Sequence, residues 1–333
     1  MVAMPPAIRP LAVLLALALV ALPVSATAQD GEEVSRISDS RVEEASGLAI
    51  SPKHDDLAYT INDGDDGVVY AVKISTGEVV GTTKVRAKLE DTESLRIDGK
   101  GRMWLSDLGD NDQERDDAAL YRFREPGPGQ HTVSPKRFPV SFEGGPADIE
   151  SLMVHPETNR MFVATRNEKG PGRLYALPEK LVANGDNRAT DLDKETPVDT
   201  SDATFAWSGT KALLRTGEAV HVFDPGTWTE IERLDVPPVE NGESIDVEPG
   251  GTSFLIGSEG DDSPLIRVAW SEDGEAEPTP TPTPTPGGDP EDDVAAEESD
   301  GVNVPVWALV VGGVVVAGLL AAAAAWAARR GQA

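Results

Sequence analysis

Short stretches of alternating apolar and polar residues, separated by turn-forming residues, fill the middle of the chain. Alternation with a period of two is typical of half-buried β-strands, and the stretches are too short for most helices. Pro and Gly stand between them, for example at residues 51–53 and 98–101, where they favour tight turns. No segment keeps the period of an amphipathic helix for more than about two turns. The pattern predicts an all-β fold.

The strand pattern recurs in five units, each with an acidic or small residue, a short apolar strand, a turn and a second apolar strand. Four strands can be placed in most units, and the period is roughly 40–50 residues. This combination is the signature of a β-propeller, in which four-stranded sheets, called blades, bury their faces against one another around a ring. We expect five blades, and the longer second and third units leave room for a sixth. The units begin at Ser46, Glu93, Glu150, Asp202 and Glu243.

The last unit lacks a fourth strand, because the chain after Trp270 becomes acidic and proline-rich. Residues 33–37 precede the first unit and have no other place in the pattern. We expect them to close the ring by supplying the outer strand of the last blade, which leaves no long free edge. In the third unit, the apolar pattern places the fourth strand at residues 197–200.

The N-terminal segment has the pattern of a secretory signal peptide. Residues 1–28 begin with a short region that contains Arg9 and continue with an apolar run. Small residues precede Gln29, as they do at a cleavage site. An N-terminal membrane anchor is the alternative, but the run is short for a bilayer, which needs about 20 apolar residues.

The C-terminal segment has the pattern of a membrane span. Residues 304–328 contain no charge and are long enough to cross a bilayer as a transmembrane helix, with a buried core helix as the alternative. Arg329 and Arg330 follow directly. The positive-inside rule therefore places residues 329–333 as a short tail in the cytoplasm, and the bulk of the chain on the extracellular face of the cell membrane.

Residues 271–303 connect the repeat to this span. Pro and Thr alternate from residue 278 to residue 286, and proline favours an extended polyproline II chain. The same segment carries eleven acids and no base, so it repels itself. We interpret it as a stalk that holds the propeller ectodomain, residues 29–270, away from the membrane.

Charge and composition exclude several classes of function. The chain has 29 Lys and Arg against 58 Asp and Glu, a net charge of −29, and residues 29–270 alone carry about −21. A nucleic-acid partner is not expected, because the phosphate backbone would be repelled. Cysteine is absent, which excludes disulfides, a cysteine nucleophile and thiolate metal sites.

The candidate chemistry lies at the starts of the first strands. In a propeller these strands line the central channel, and rotation brings their starting positions to one mouth. Two polar loops, residues 62–66 and 107–117, join the second and third strands of the first two units and should reach the same mouth. The candidate binding residues are Glu44, Asn62, Asp63, Asp91, Glu93, Asp107, Asp110, Asn111, Arg115, Asp148, Glu150, Arg166, Asp202, Arg215 and Glu243.

Three interpretations of the converging acids stay open. The acids cap turns by accepting backbone N–H groups, with Arg166 and Arg215 neutralising them. Alternatively they bind a hard cation, because converging carboxylates raise one another's pKa and Ca²⁺ takes about 6–8 oxygen ligands. In the third interpretation they contact a substrate directly. For a metal, the sequence favours the ligands Glu93, Glu150, Glu243 and Asp107.

A set of short motifs stands out along the repeat: residues 44–49 (EASGLA), 60–65 (TINDGD), 91–95 (DTESL) and 107–111 (DLGDN) with Arg115, followed by residues 120–126, 148–150 and 242–244. These segments resemble a family of secreted or membrane-anchored β-propeller proteins of actinobacterial type, described as WD-repeat-like, NHL-like or esterase-like-phytase-like. Thr92 and Ser94 depart from the pattern, and the Gly-His and Trp-Asp pairs of true WD repeats are missing. The resemblance implies the fold and an extracellular location, and it implies no particular activity.

Two functions fit these features. The first is a binding module on the cell surface, a propeller with an acidic, Ca²⁺-binding mouth that meets an extracellular ligand or protein. The second is a metal-dependent extracellular hydrolase, phosphoesterase-like or lactonase-like, that uses the same carboxylates as ligands and as a general base. A long stalk favours the binding module, because a freely diffusing hydrolase needs no spacer.

Overall fold

A computed structural model describes residues 27–28, 30–64 and 66–274 of the chain. These residues form β-strands joined by turns, with no helix among them, so the all-β prediction is confirmed. Nor does this part of the chain contain a helix of the length and apolarity that crossing a bilayer requires. The predicted signal peptide (apart from residues 27–28), the stalk beyond residue 274, the membrane span and the tail lie outside the described residues.

The strands form five consecutive antiparallel units of four strands, which we number I to V. Inner strands such as β3 are buried on both faces, whereas outer strands such as β11 alternate between buried and more exposed positions, because their units pack on neighbours from one or both sides. Unit I contains β3 (Ala45–Ile50), β4 (Leu57–Asn62), β5 (Val68–Lys73) and β6 (Val79–Val85); unit II contains β7 (Ser94–Ile97), β8 (Arg102–Asp107), β9 (Ala119–Arg124) and β11 (Lys136–Phe142).

The remaining units follow the same order. Unit III contains β12 (Ile149–Val154), β13 (Met161–Thr165), β14 (Gly172–Ala176) and β15 (Asn187–Thr196); unit IV contains β16 (Asp202–Phe205), β17 (Ala212–Arg215), β18 (Ala219–Asp224) and β19 (Thr229–Asp235). Unit V contains β20 (Ser244–Val247), β21 (Ser253–Gly257), β22 (Ser263–Ala269) and, as its fourth strand, β2 (Gly31–Ile37). Strand β2 pairs antiparallel with β22, so the N-terminal segment completes the last unit, as the sequence predicted.

Three pairings extend the units at their outer edges. Strand β10 (Gly129–Val133) leaves unit II and pairs parallel with β6 of unit I. Strand β1 (Thr27–Ala28) pairs parallel with β19. Strand β11 pairs parallel with β15, which joins units II and III into one eight-stranded sheet. These pairings cover sheet edges that would otherwise be open to other chains.

The fourth strand of unit III is a correction to the sequence prediction. The pattern placed it at residues 197–200, whereas the structure places it at Asn187–Thr196. The reason is its polarity: as an outer strand it faces solvent along most of its length and carries few apolar residues. An exposed outer strand therefore resembles a loop in sequence.

The first strands pack against one another in the cyclic order β3, β7, β12, β16, β20 and back to β3. Five apolar clusters lie between consecutive units, and the fifth joins unit V to unit I through side chains such as Leu255 and Leu48. Burying one such side chain contributes roughly 1.5–3 kcal/mol. The five units therefore share a continuous core arranged around the first strands.

A buried ion pair fills the space enclosed by the first strands. The Arg96 guanidinium lies 2.7 Å from an Asp202 carboxylate oxygen, and both side chains are buried. Arg96 also donates hydrogen bonds to the carbonyls of Leu48, Ala203 and Ile245, which belong to units I, IV and V. One side chain of unit II thus links three other units.

Candidate functional site

Three carboxylates converge where units I and II meet. Asp63 follows β4, whereas Asp91 and Glu93 precede β7, and one oxygen of each lies within 4.8 Å of the others. Backbone contacts hold the two loops together: the Thr92 N–H donates to the Gly64 carbonyl at 3.0 Å, and the Thr92 hydroxyl donates to the same oxygen at 2.7 Å. We call Asp63, Asp91 and Glu93 the carboxylate triad.

Glu93 is the most buried member of the triad, with 4% of its surface exposed. Its backbone is fixed on both sides, because its N–H donates to the Ser106 carbonyl and its own carbonyl accepts a hydrogen bond from the Ser46 hydroxyl. Its carboxylate points towards Asp63 and Asp91. Backbone hydrogen bonds therefore hold the Glu93 carboxyl next to two other carboxyl groups.

Gly109 covers the triad from the second polar loop. A Cβ atom at this position would lie 2.5 Å from Glu93 Oε1 and 2.6 Å from Asp91 Oδ2, closer than real Cβ atoms approach. The Gly109 N–H donates to the Asp91 carbonyl at 3.2 Å. A glycine is thus required here for steric reasons, since any side chain would displace the two carboxylates.

Beside the triad lies a second group of acids around one arginine. Arg166 follows β13, and its Nη1 atom lies 3.2 Å from Glu243 Oε1 and 3.9 Å from Glu150 Oε2. Its Nε atom contacts Asp199 Oδ1 at 2.7 Å. One guanidinium thus serves three carboxylates from units III to V. We call the carboxylate triad together with Glu150, Glu243 and Arg166 the acidic mouth.

The acids of the mouth hold their protons more strongly than usual. Burial raises the pKa of Glu93 to about 11, and Glu150, Asp63 and Asp91 add to the shift. Burial and Asp63 raise the pKa of Asp91 to about 6. Burial and Asp148 raise the pKa of Glu150 to about 8, against the opposing effect of Arg166. Glu93 and Glu150 therefore keep protons near neutral pH unless a cation replaces them, whereas Asp91 is mostly ionised there.

The spacing of the triad oxygens would allow them to bind one divalent cation. Oxygen ligands lie about 2.3–2.6 Å from Ca²⁺, so two ligands of one ion are separated by at most about 5 Å. The oxygens of Asp63, Asp91 and Glu93 meet this limit. Their composition, oxygen alone, suits a hard cation, and the remaining coordination positions would be open to water or to a ligand.

Asp107, a metal ligand favoured by the sequence, builds the loop instead. Its Oδ1 atom accepts hydrogen bonds from the N–H groups of Glu90 and Asp91 at 3.1 and 2.9 Å, and from Arg115 Nη2 at 3.0 Å. Asp107 thus has three donors on one oxygen and fixes the backbone of Asp91. We therefore leave Asp107 out of the proposed ligands.

Asp110 and Asp148 also order this loop. The two Asp110 oxygens accept the N–H groups of Glu114 and Arg115, both at 2.9 Å, and Asp148 Oδ1 accepts the Asp110 N–H at 2.8 Å. These are the turn-capping roles that the first interpretation of the acids proposed. Asn111 next to them is exposed.

Asn62 and Glu44 lie at the edge of the mouth. The Asn62 side chain donates to the Arg41 carbonyl at 2.9 Å and accepts the Glu44 N–H at 3.4 Å. The Glu44 side chain is exposed, and its charge helps to raise the pKa of Asp63. Asn62 therefore orders the backbone beside the triad, and Glu44 adds negative charge on its solvent side.

Asp202 lies deeper than the sequence predicted. It is the first residue of β16, as Ser94 is of β7 and Ser244 is of β20, so the residue that matches Glu93 in unit IV is Ser201. A shift of one residue moves a side chain to another level of the channel, and Asp202 pairs there with Arg96. The acids of the mouth therefore come from units I, II, III and V.

Arg215 is also removed from the mouth surface. It is fully buried and donates to the carbonyls of Ser244 and Gly257. Burial lowers the pKa of its guanidinium to about 10, although Glu243 opposes the shift. Arg166, by contrast, neutralises acids at the surface as the sequence suggested.

Glu259 belongs to the mouth and was missed in the sequence. Burial, with the charges of Glu243 and Asp63, raises the pKa of Glu259 to about 7. It lies two residues after the second strand of unit V, whereas Asp63 and Arg166 lie directly after the second strands of units I and III. A search for acids in the loops after the second strands would have included it.

No protein family model matches this chain, and no curated protein matches it in sequence. The chemistry of the acidic mouth must therefore be inferred from its own side chains. Three carboxylates with oxygens within 4.8 Å of one another, beside an arginine among further acids, could hold a cation and a ligand bound to that cation.

Proposed function

We propose that this chain is a five-bladed β-propeller on the cell surface that binds Ca²⁺ in its acidic mouth and presents the metal-loaded mouth to an extracellular ligand. The observation that carries the proposal is the convergence of Asp63, Asp91 and Glu93 from two units onto one point, within 4.8 Å. Three carboxylates this close together lower the stability of the folded state, and a bound cation would remove that loss.

The propeller part of the proposal has three supports. Five four-stranded units follow one another along the chain, and their first strands pack in cyclic order. The N-terminal strand β2 completes the last unit, as ring closure requires. The resemblance to actinobacterial-type propeller proteins, which covers the triad segments 60–65 and 91–95, points to the same fold.

The location is proposed from the sequence patterns at the two ends. The signal peptide, the acidic Pro/Thr-rich stalk and the apolar segment 304–328 together favour a single-pass membrane protein whose propeller is outside the cell. Outside cells the Ca²⁺ concentration is high enough for weak sites, whose dissociation constants are about 10⁻⁴–10⁻³ M.

Calorimetric unfolding of the purified chain with Ca²⁺ or with chelator tests the metal site. A ligand that binds only the native state raises its stability, by about 2.7 kcal/mol at one hundred times its Kd. For a domain of this size we expect an increase in Tm of about 5–10 °C with Ca²⁺. The variants Asp91→Asn and Glu93→Gln should lose most of this increase.

The control for these variants is Glu195→Gln, which removes an exposed acid on the outer strand of unit III. It should keep the full Ca²⁺ response, because the charge lies outside the mouth. An equal response to Ca²⁺ in wild type, Glu93→Gln and control would mean that the ion acts on diffuse surface charge, and the proposed site would be wrong.

A metal-dependent hydrolase is the second candidate, and Glu150 favours it. Its pKa, raised to about 8, is suited to a general base near neutral pH, and Arg166 beside it could hold an anionic ester. In this function the triad would hold the cation, which would polarise the scissile group, and Glu150 would take a proton from water.

Turnover separates the two candidates. The purified chain is assayed with a panel of phosphoesters and lactones in the presence of Ca²⁺. Turnover that is lost with chelator and with Glu150→Gln, while the Ca²⁺-induced rise in Tm is kept, supports the hydrolase. Absence of turnover in a protein that still binds Ca²⁺ supports the binding module.

A further inference from the structure

A second charged site lies at the other end of units I and II, where the hairpin turns meet. Its lining includes six bases, on a globule that is otherwise strongly acidic. The cavity measures about 760 Å³, within the range of about 300–1,000 Å³ that small-molecule sites occupy. We call it the basic pocket, and its bases are Lys53, Lys100, Arg102, Arg122, Arg124 and Lys136.

The strands of unit II place these bases directly opposite one another. Arg102 on β8 pairs with Arg124 on β9, and Arg122 on β9 pairs with Lys136 on β11. Like charges at directly opposite positions destabilise an antiparallel sheet. Asp98 neutralises Arg102 in the first pair, whereas Arg122 and Lys136 in the second form no salt bridge among the described residues, and an anion bound between the two pairs would lower the remaining repulsion.

Arg122 is held in place by aromatic rings. Its guanidinium carbon lies 5.0 Å from the ring centre of Trp104 and 4.9 Å from that of Phe138. Stacking fixes the plane of the guanidinium and leaves its N–H edge for a ligand. Burial and the neighbouring Arg102 lower the pKa of Arg122, in agreement with the crowding of positive charge.

Few acids neutralise the basic pocket. Among the described residues, Arg102 pairs with Asp98, and none of the other five bases forms a salt bridge. Glu125 is the one acid among the described lining residues; it is 5% exposed, and its Oε1 atom accepts hydrogen bonds from Ser51 and Tyr59. A ligand in the pocket therefore meets mainly positive charge.

We propose that the basic pocket binds a compact oligophosphate, a small molecule with several adjacent phosphate groups. Arg122 and Arg124 offer paired N–H donors and three lysines offer point charges, the combination that recognises phosphate oxygens, whereas Arg102 is paired with Asp98. The size of the cavity suits a small ligand. A long polyanion is disfavoured, because its charges would extend beyond the pocket over a surface with a net charge of about −21.

Isothermal titration of the full chain with inorganic tripolyphosphate tests this proposal. Excess chelator is present throughout, so that metal in the acidic mouth cannot contribute. We expect saturable binding at one site that weakens as salt is raised. The triple variant Lys53→Gln, Arg124→Gln and Lys136→Gln should lose at least about tenfold in affinity, since it removes several charge-assisted hydrogen bonds.

The control variant carries Lys180→Gln, Arg188→Gln and Lys194→Gln, three exposed bases of unit III outside the pocket. It should bind like wild type, and both variants should keep the wild-type Tm within a few degrees. Absence of binding at low salt, or equal losses in the two variants, would overturn the proposal. So would a single-stranded oligonucleotide that binds more tightly than tripolyphosphate, because the pocket would then belong to a polymer site.

Discussion

Binding of Ca²⁺ to the carboxylate triad should release a proton from Glu93. The pKa of this buried carboxyl is raised to about 11, so the metal-free protein keeps it protonated at neutral pH. A metal ligand must be deprotonated. The ion therefore has to displace the Glu93 proton, and its apparent affinity depends on pH.

The size of this dependence follows from the number of protons released. One proton gives a tenfold decrease in apparent Kd for each pH unit, which is about 1.4 kcal/mol. Between pH 6.5 and 8, Asp91, with its pKa of about 6, is mostly ionised and contributes little. Below pH 6 it also holds a proton, so the slope should become steeper there.

Titration calorimetry in buffers of different ionisation enthalpy measures the protons directly. For wild type at pH 7.0 we expect about one proton released per Ca²⁺. Glu93→Gln should bind more weakly and release close to none, because the amide has no proton to give. Glu195→Gln, a change on an exposed strand, should behave like wild type. Pure metal binding with no proton release in wild type would refute the reasoning, as would an unchanged release in Glu93→Gln.

Three further outcomes are expected. Gly109→Ala places a Cβ 2.5 Å from Glu93 Oε1, so it should abolish the Ca²⁺-induced rise in Tm in calorimetry; a variant with a normal Ca²⁺ response would show that the loop does not cover the triad. Arg96→Met leaves the Asp202 carboxyl buried without its partner, so the free energy of unfolding measured in urea should fall by about 3–5 kcal/mol. A loss below about 1 kcal/mol would contradict the role of the pair. In chelator, the raised pKa values of the mouth acids mean that the native state holds protons that the unfolded chain has released above about pH 4. The Tm should therefore fall as pH rises from 5 to 8. A flat or rising profile of Tm against pH would contradict the raised pKa values.

The sequence predicted the repeating strands because turns and apolar alternation leave local signals. The repeat also predicted that acids at the starts of the first strands would lie close together, and Asp91 and Glu93 do converge with Asp63. Strands β10 and β15 were not predicted correctly, because outer strands are half exposed and carry polar residues. Their pairing depends on neighbouring units, which no local pattern contains.

The roles of individual acids could not be predicted to the same depth. Asp107 and Asp63 both end a second strand in an Asp/Asn-rich loop, yet one accepts three hydrogen bonds at a single oxygen and the other faces two carboxylates. Asp202 differs from its expected position by one residue and therefore lies at the level of Arg96. Whether an acid is neutralised locally depends on contacts between units, which are set only when the units pack.

The ion pair of Arg96 and Asp202 lies deeper in the fold than the acidic mouth and links the units that carry it. Arg96 bonds to backbone carbonyls of three other units. Because Asp63 belongs to unit I, whereas Asp91 and Glu93 belong to unit II, a cation bound there ties two units together at the point where their like charges oppose packing. The free energy of cation binding is therefore added to the stability of the junction between units I and II, and unfolding experiments report on the site directly.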